Sequence, residues 1–339
     1  MKKLFFLLPL AAALLPACSN DFEVAAPWKE IPVAYAILSP KDTAQYIRVE
    51  KAFLDPETSA LQLAQIADSL YYPESAISVF LEQLSTGQRI PLQRVDGNLE
   101  GYVRQGGIFA TQPNWLYKTK AQINEGETYR LLIIRNDGRP DITAETVIPR
   151  EFILRHPDPA DIPPQITFKR DVSPTVDWRT DAAGVFFNLH FRIRYRENGL
   201  NGALIKRDTL QWTVTPNVKR SSQLVAGNLY KGEFLVSTES FFNFLVQHIP
   251  PASDRFRYFE GIDVTLEGGG AEIERYLETA AANSGITGAE IIPAYSNLSE
   301  GYGIFTAKNR VVLNKVRVTP ETIDDLNEQA PTNALNFRY

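Results

Sequence analysis

Hydrophobic and polar residues alternate with a period of two over most of the chain, the spacing of half-buried β-strands. From Ile31, Val33, Tyr35 and Ile37 share one face, and Ser39-Pro40-Lys41-Asp42 reads as a turn. Tyr46, Arg48 and Glu50 then alternate with Ile47, Val49 and Lys51, which predicts a β-hairpin. Residues 58–70 break the rhythm: Leu61, Ala64, Ile66 and Leu70 have a short helical spacing, read as an insertion packed on the sandwich edge. Strand patterns resume at Ile77–Leu84, Arg89–Arg94, Tyr117–Ile123, Thr128–Asn136 and Asp141–Ile148. Asn136-Asp137-Gly138 is a strong hairpin turn, because Asp-Gly accepts positive φ at low cost. Short strands with turns at this spacing predict an immunoglobulin-like antiparallel β-sandwich over 31–150, a pattern that other antiparallel sandwiches share.

Pro157 to Pro164 (PDPADIPP) marks a Pro-rich linker over 151–164, since proline fixes φ and disfavours continued pairing. Beyond it, Val185–Arg196 is the clearest strand of the chain. Phe187, Leu189, Phe191, Ile193 and Tyr195 point one way, Asn188, His190, Arg192, Arg194 and Arg196 the other. Asn198-Gly199 is a hairpin-type turn, and Lys206–Thr215 returns. Thr238 is placed to cap a helix over Glu239–His248. A strand over Arg257–Leu266, a helix over Ala271–Asn283 and closing strands at Ile304–Phe305 and Arg310–Val318 follow. A last helix over Pro320–Asn327 precedes a polar tail. The expected fold is mainly β: the sandwich, then a β-rich α+β domain over 165–319 with an antiparallel sheet and two or three short helices, then a C-terminal helix and tail over 320–339.

The start of the chain changes this picture. Lys2 and Lys3 precede an apolar run from Leu4 to Leu15, too short for a bilayer that needs about 20 residues as helix. Residues 1–17 therefore read as a signal peptide rather than part of the fold. Leu15-Pro16-Ala17-Cys18 resembles a lipobox, which makes Cys18 the expected lipidation site and 18–30 a tether. The alternative is an ordinary signal peptide beside a chance cysteine. With Cys18 acylated no thiol remains, so neither a disulfide nor cysteine chemistry is expected. Without Lys2 and Lys3 the balance is 33 Lys+Arg against 40 Asp+Glu, a net charge of −7. That argues against nucleic acid as a partner and against polybasic attachment to anionic lipid.

No catalytic or metal-binding constellation emerges. His156, His190 and His248 lack metal-ligand spacing, and no G-x-S-x-G elbow or Ca²⁺ loop occurs. Gly268-Gly269-Gly270 before a helix has a shape that suits anions but lacks the P-loop lysine, and a flexible turn is the plainer reading. No cofactor is expected. Two features offer a binding surface: aromatic residues near turns (Tyr72, Trp115 and Tyr117), and the basic stripe Arg192, Arg194 and Arg196. The plainer alternatives are aromatics that plug the sandwich ends and arginines paired with carboxylates on neighbouring strands.

Two stretches resemble a known family. They are Cys18-Ser19-Asn20-Asp21-Phe22-Glu23-Val24, running on through Trp28 into Val33–Leu38, and Tyr295-Ser296-Asn297-Leu298-Ser299-Glu300-Gly301-Tyr302-Gly303-Ile304-Phe305. Together they are similar to Bacteroidota outer-membrane lipoproteins that carry a domain of unknown function (DUF4249-like), often encoded beside TonB-dependent receptors. Asp21-Phe22-Glu23 is also similar to that phylum's acidic surface-export signal, and Asp42-Thr43-Ala44, Asp68-Ser69-Leu70 and Asp208-Thr209-Leu210 to its O-glycosylation sequon. The resemblance implies an outer-membrane, lipid-anchored, cell-surface protein without enzymatic activity. It would act as a binding or accessory subunit of a TonB-dependent transport complex. A surface hydrolase on glycan or peptide, or a structural or adhesion role, remains the alternative expectation.

Overall fold

The computed structural model describes residues 29–54, 59–283 and 295–339. Cys18, the signal segment, the tether up to Trp28 and the Asp21-Phe22-Glu23 stretch lie outside the described residues.

The protein is mainly β and sandwich-like, with short helices. A long sheet runs through it, its strands numbered along the chain. From one edge it comprises β13 (Leu204–Lys219), β12 (Phe186–Gly199), β16 (Arg255–Gly269), β17 (Tyr302–Val318), β1 (Lys29–Leu38), β2 (Gln45–Leu54), β6 (Trp115–Thr119) and β5 (Gln93–Asp96). The two-residue β10 (Gln165–Ile166) pairs with the end of β17. Pairing is antiparallel except where β17 runs parallel to β1 and β10.

Two four-stranded sheets cover one face of this long sheet. The order β4 (Gln88–Pro91), β3 (Ile77–Gln83), β7 (Thr128–Arg135), β8 (Ile142–Val147) closes a core with Ala34, Ala36, Ile47 and Val49. The order β14 (Leu224–Val225), β15 (Leu229–Leu235), β11 (Thr175–Thr180), β9 (Ile153–His156) closes a second core around Trp178, Phe187, Phe191 and Val264. Helix α3 (Thr238–His248) buries Phe241, Phe242 and Leu245 in that second core, and α5 (Pro320–Glu328) buries Ile323 and Leu326 there. Strand β17 serves both cores, through Phe305 and Ala307 in the first and Val316 and Val318 in the second. A bulge keeps these residues on one face: the β16–β17 register slips between Ile262 and Val264, opposite Val316 and Leu313, and Lys315 takes a φ of 55°.

Several elements differ from the sequence pattern for local reasons. The expected pair of closing strands is a single strand, since Thr306 and Ala307 continue the ladder between them. Arg89–Arg94 divides into β4 and β5, which belong to different sheets, so the chain crosses the sandwich at Leu92. The strand expected at Tyr117–Ile123 ends at Thr119 as β6. The proline cluster masks the Ile153-Leu154 alternation, and β9 lies inside residues 151–164 and pairs with β11. Helix α3 is capped by Ser237, whose hydroxyl accepts a bond from the Ser240 N–H; Thr238 is its first residue. The insertion forms two short helices, α1 (Ala60–Ala64) and α2 (Ala67–Leu70).

Candidate functional site

The face of the long sheet opposite the two cores is partly open, and one region of it carries apolar rather than polar side chains. In β1 the small residues Ala34 and Ala36 point into the core, while Tyr35 and Ile37 point outward and stay exposed. Across the ladder Tyr35 stands opposite Arg48 on β2 and Ile304 on β17. Around Tyr35 the outer side chains of β1 are thus larger than the inward alanines, and apolar where an ordinary half-buried strand is polar.

Two flanks turn this surface into a groove. On one side lies α4 (Ala271–Asn283), which brings Ile273, Tyr276 and Leu277 over the sheet. Thr306 Oγ1 donates to Glu272 Oε2 at 3.2 Å, and Lys219 pairs with Glu274 and Glu278, so the first two turns of the helix are tied to the sheet. On the other side is the loop 97–114. Asn98 accepts from the Arg104 N–H and donates to the Thr111 carbonyl, both at 3.0 Å, and buried Asn114 donates to the Tyr102 carbonyl at 2.7 Å. These amides replace the absent ladder partners of an irregular backbone. The Ala110 N–H donates to the Ala64 carbonyl at 2.7 Å, which joins the loop to α1.

Between the flanks two cavities meet at Tyr35. One, of about 550 Å³, is lined by Tyr35, Tyr46, Tyr102, Tyr276 and Leu277. The other, of about 450 Å³, is lined by Val33, Tyr35, Ala64, Leu70 and Phe109, with Arg48, Glu50 and Arg104 at its wall. The Tyr35 and Tyr276 rings meet edge-on at 6.4 Å, and the Tyr46 and Tyr102 rings at 4.5 Å. Burial, reinforced by Tyr276, pushes the Tyr35 hydroxyl above its ordinary pKa, so it stays a neutral hydrogen-bonding group. The charges nearest Tyr35 are partnered. Arg48 and Arg104 both donate to Glu50 Oε1, at 2.8 and 2.6 Å, while Glu100 accepts from Tyr46 and Lys118. The groove therefore offers ring faces, aliphatic surface and hydroxyls, a chemistry of contact and stacking.

The sequence-predicted site residues lie elsewhere. Tyr72 and Tyr117 are buried, both within the first core, and do not form an exposed surface. Trp115 is half-buried and covered by the Arg94 guanidinium, 4.5 Å from the ring. Arg192 and Arg194 both bond the Asp263 carboxylate, which β16 places opposite Arg192. Arg196 lies 3.7 Å from Glu260 and stacks over Tyr258. The stripe is consequently a cross-strand ion-pair network in which every arginine has a carboxylate partner, each carboxylate shared by two arginines. Gly268 and Gly269 end β16, with Gly268 set against Phe187. His156, His190 and His248 remain apart, and among the described residues no group of three His, Cys, Asp or Glu is placed to hold a metal. Of the groove residues, Tyr102 carries no sequence signal because it lies in a loop without periodicity, and the shared face of Ile273, Tyr276 and Leu277 is read from the helical spacing without the sheet surface it meets.

Asp263 itself is a test of the fold. Burial favours the neutral carboxyl, but the Lys315 N–H at the bulge and the two guanidiniums outweigh it and hold the group below the usual carboxylate range. A depressed folded pKa contributes stability that is present above the unfolded value, about 4, and lost as pH falls through the folded one. Asp263→Asn is expected to cost about 3 kcal/mol at neutral pH, with the wild-type advantage shrinking on acidification. Urea midpoints of the two chains at neutral pH and near pH 4 measure it; an unchanged gap would contradict the pairing.

Residues 33–312 match the family model described as Domain of unknown function (DUF4249). The chain belongs to the DUF4249 family. The match covers the first core, both flanks of the groove and the second core up to Val312, short of Val316, Val318 and α5. A comparison of this DUF4249 chain with curated proteins finds no match. Among solved structures it is similar to the C-terminal globular domain of an oligosaccharyltransferase from Pyrococcus abyssi, at 11% identity and a TM-score of 0.25. That likeness covers 86% of this chain and 50% of the other, so the chain spans half the length of the structure it matches.

Proposed function

We propose that this DUF4249 chain is a lipid-anchored, surface-facing outer-membrane protein that binds rather than catalyses. It serves as an accessory subunit of a TonB-dependent transport complex. The observation that carries the reading is the outward apolar face of β1, flanked by α4 and the loop 97–114. Tyr35, Tyr46, Tyr102 and Tyr276 offer neutral rings in a groove where Arg48 and Arg104 are already paired with Glu50. Such a surface suits an extended segment or an aromatic-rich rim of a partner, where tyrosines bury area at low entropic cost. Anchoring rests on the Cys18 signal. Among the described residues no helix is long and apolar enough to cross a membrane.

A photoreactive amino acid at position 102, half-exposed in the groove, tests the assignment in intact cells. The expected adduct contains an outer-membrane barrel protein, and the same probe at exposed Leu235 on β15 gives none. No barrel adduct at 102, or equal adducts from both positions, would overturn the reading.

A further inference from the structure

We infer that the tip formed by α1 and residues 99–109 rests in the membrane surface to which the chain is anchored, an inference that depends on the anchoring reading above. The tip gathers Leu61, Ile66, Leu99, Val103, Ile108 and Phe109, all exposed; Leu99 retains 88% of its surface and Val103 63%. Leu61 and Ile66 adjoin Ile108 and Phe109 through the Ala110–Ala64 backbone bond and through Gln65, which donates to the Ile108 carbonyl at 2.6 Å, and Arg104, next to Val103, stacks over Phe109. An uncovered aliphatic cluster of this kind marks a contact surface.

Two observations select lipid. The first is charge. The two charged side chains of the loop are drawn back and neutralised, Glu100 by Lys118 and Arg104 by Glu50, so the projecting positions are aliphatic, aromatic, glycine or amide. Asp68, on α2, is the exposed charge of the two helices. A bilayer surface accepts such a tip without a matching set of charges. The second is where the tether ends. Lys29 pairs with Leu54, so the chain from Cys18 enters beside the strand that leads on to α1, which begins at Ala60. The residues between Cys18 and Lys29 reach about 40 Å when extended, which is ample for the tip to touch down. An acyl anchor that enters beside α1 and an apolar patch within the reach of the tether act as two signals for one surface.

The test uses the full-length lipidated chain. Cys18 is the only cysteine, so once it is acylated an introduced thiol is the sole free one. Ile108→Cys and Leu99→Cys are labelled with a fluorophore and reconstituted on vesicles of phosphatidylethanolamine and phosphatidylglycerol that contain a nitroxide-labelled phosphatidylcholine. Leu200→Cys is the control. It lies in the exposed β12–β13 turn, across the long sheet from β2 and at the end of the strands away from the start of β1. The expected result is quenching several-fold stronger at 108 and 99 than at 200. Equal quenching at all three, on a chain whose N-terminal peptide carries the diacylglyceryl mass, overturns the inference while leaving the anchor intact. Absence of that mass overturns the anchoring reading and this inference with it.

Discussion

A Gly303→Ala chain is expected to lose more than about 4 kcal/mol of folding free energy, a large share of the total for a protein of ordinary stability. Gly303 pairs with Ala34 where β17 runs parallel to β1, at a φ of 135°, which side-chain-bearing residues rarely adopt. A Cβ there would lie 1.8 Å from the Ala34 carbonyl oxygen and 3.0 Å from its nitrogen. The obstacle is backbone, so no rotamer relieves it, and the ladder from Val33 to Leu38 must part. The consequence is not local. Strand β17 supplies Phe305 to the first core and Val316 to the second, so separating it from β1 uncouples the two halves of the long sheet. Urea unfolding followed by circular dichroism and by tryptophan fluorescence is expected to show an earlier transition whose two probes no longer coincide. Gly106→Ala is the control: nothing lies within 4 Å of the added carbon, and its midpoint is expected to stay near wild type. A Gly303→Ala midpoint as high as that control's would refute the account of this junction.

The same junction explains why the closing stretch of sequence is so distinctive. Strand β16 pairs with β17 only from Lys308 onward, which leaves the earlier residues of β17 short of a neighbour on that side. Asn297 fills the place of a strand: its amide accepts from the Phe305 N–H at 2.9 Å and donates to the Phe305 carbonyl at 2.7 Å. Gly301 and Gly303 let β17 press against Pro32 and Ala34 on the other side. The resemblance read from Asn297 to Phe305 is thus carried by backbone geometry rather than by a reactive site.

What was legible follows from period. Alternation located β1, β3, β7, β8 and β12, and the helical spacing located α3, because one face of each meets a core, and α4, because one face lies over the outer surface of the sheet. Alternation alone does not say which face. In β1 the larger residues look outward and the alanines inward, so the Val33-Tyr35-Ile37 stripe is the floor of the groove. Parallel pairing of Val33 with Tyr302 joins residues at opposite ends of the chain and leaves no local signature. The turn-associated aromatics Tyr72 and Tyr117 mislead for the converse reason: proximity to a turn does not expose a ring that the sandwich end can bury.

Arg257→Met is expected to cost about 3–4 kcal/mol at neutral pH. Arg257 and Glu197 are both buried and bond at 2.9 Å, and a second Arg257 donor reaches the Leu335 carbonyl at 2.7 Å. Burial favours the neutral form of Glu197, yet the bonds from Arg257 and from Arg255 outweigh it and hold the carboxyl below its usual range. Methionine fills the volume but leaves the carboxylate with Arg255 alone and the carbonyl without a donor. The pH dependence then changes sign. In wild type this group contributes stability above the unfolded carboxyl pKa and loses it as pH falls through the lower folded value. In the variant the under-compensated Glu197 titrates above its unfolded value, so acidification relieves the penalty and the two stability curves converge toward pH 4. Adding Glu197→Gln to Arg257→Met is expected to recover part of the loss at neutral pH, since removing both charges of a buried pair costs less than stranding one. If the double variant is as unstable as the sum of the two single changes, the pair is not coupled and the loss belongs instead to the Arg257 bond that holds Leu335 and the C-terminal segment in place.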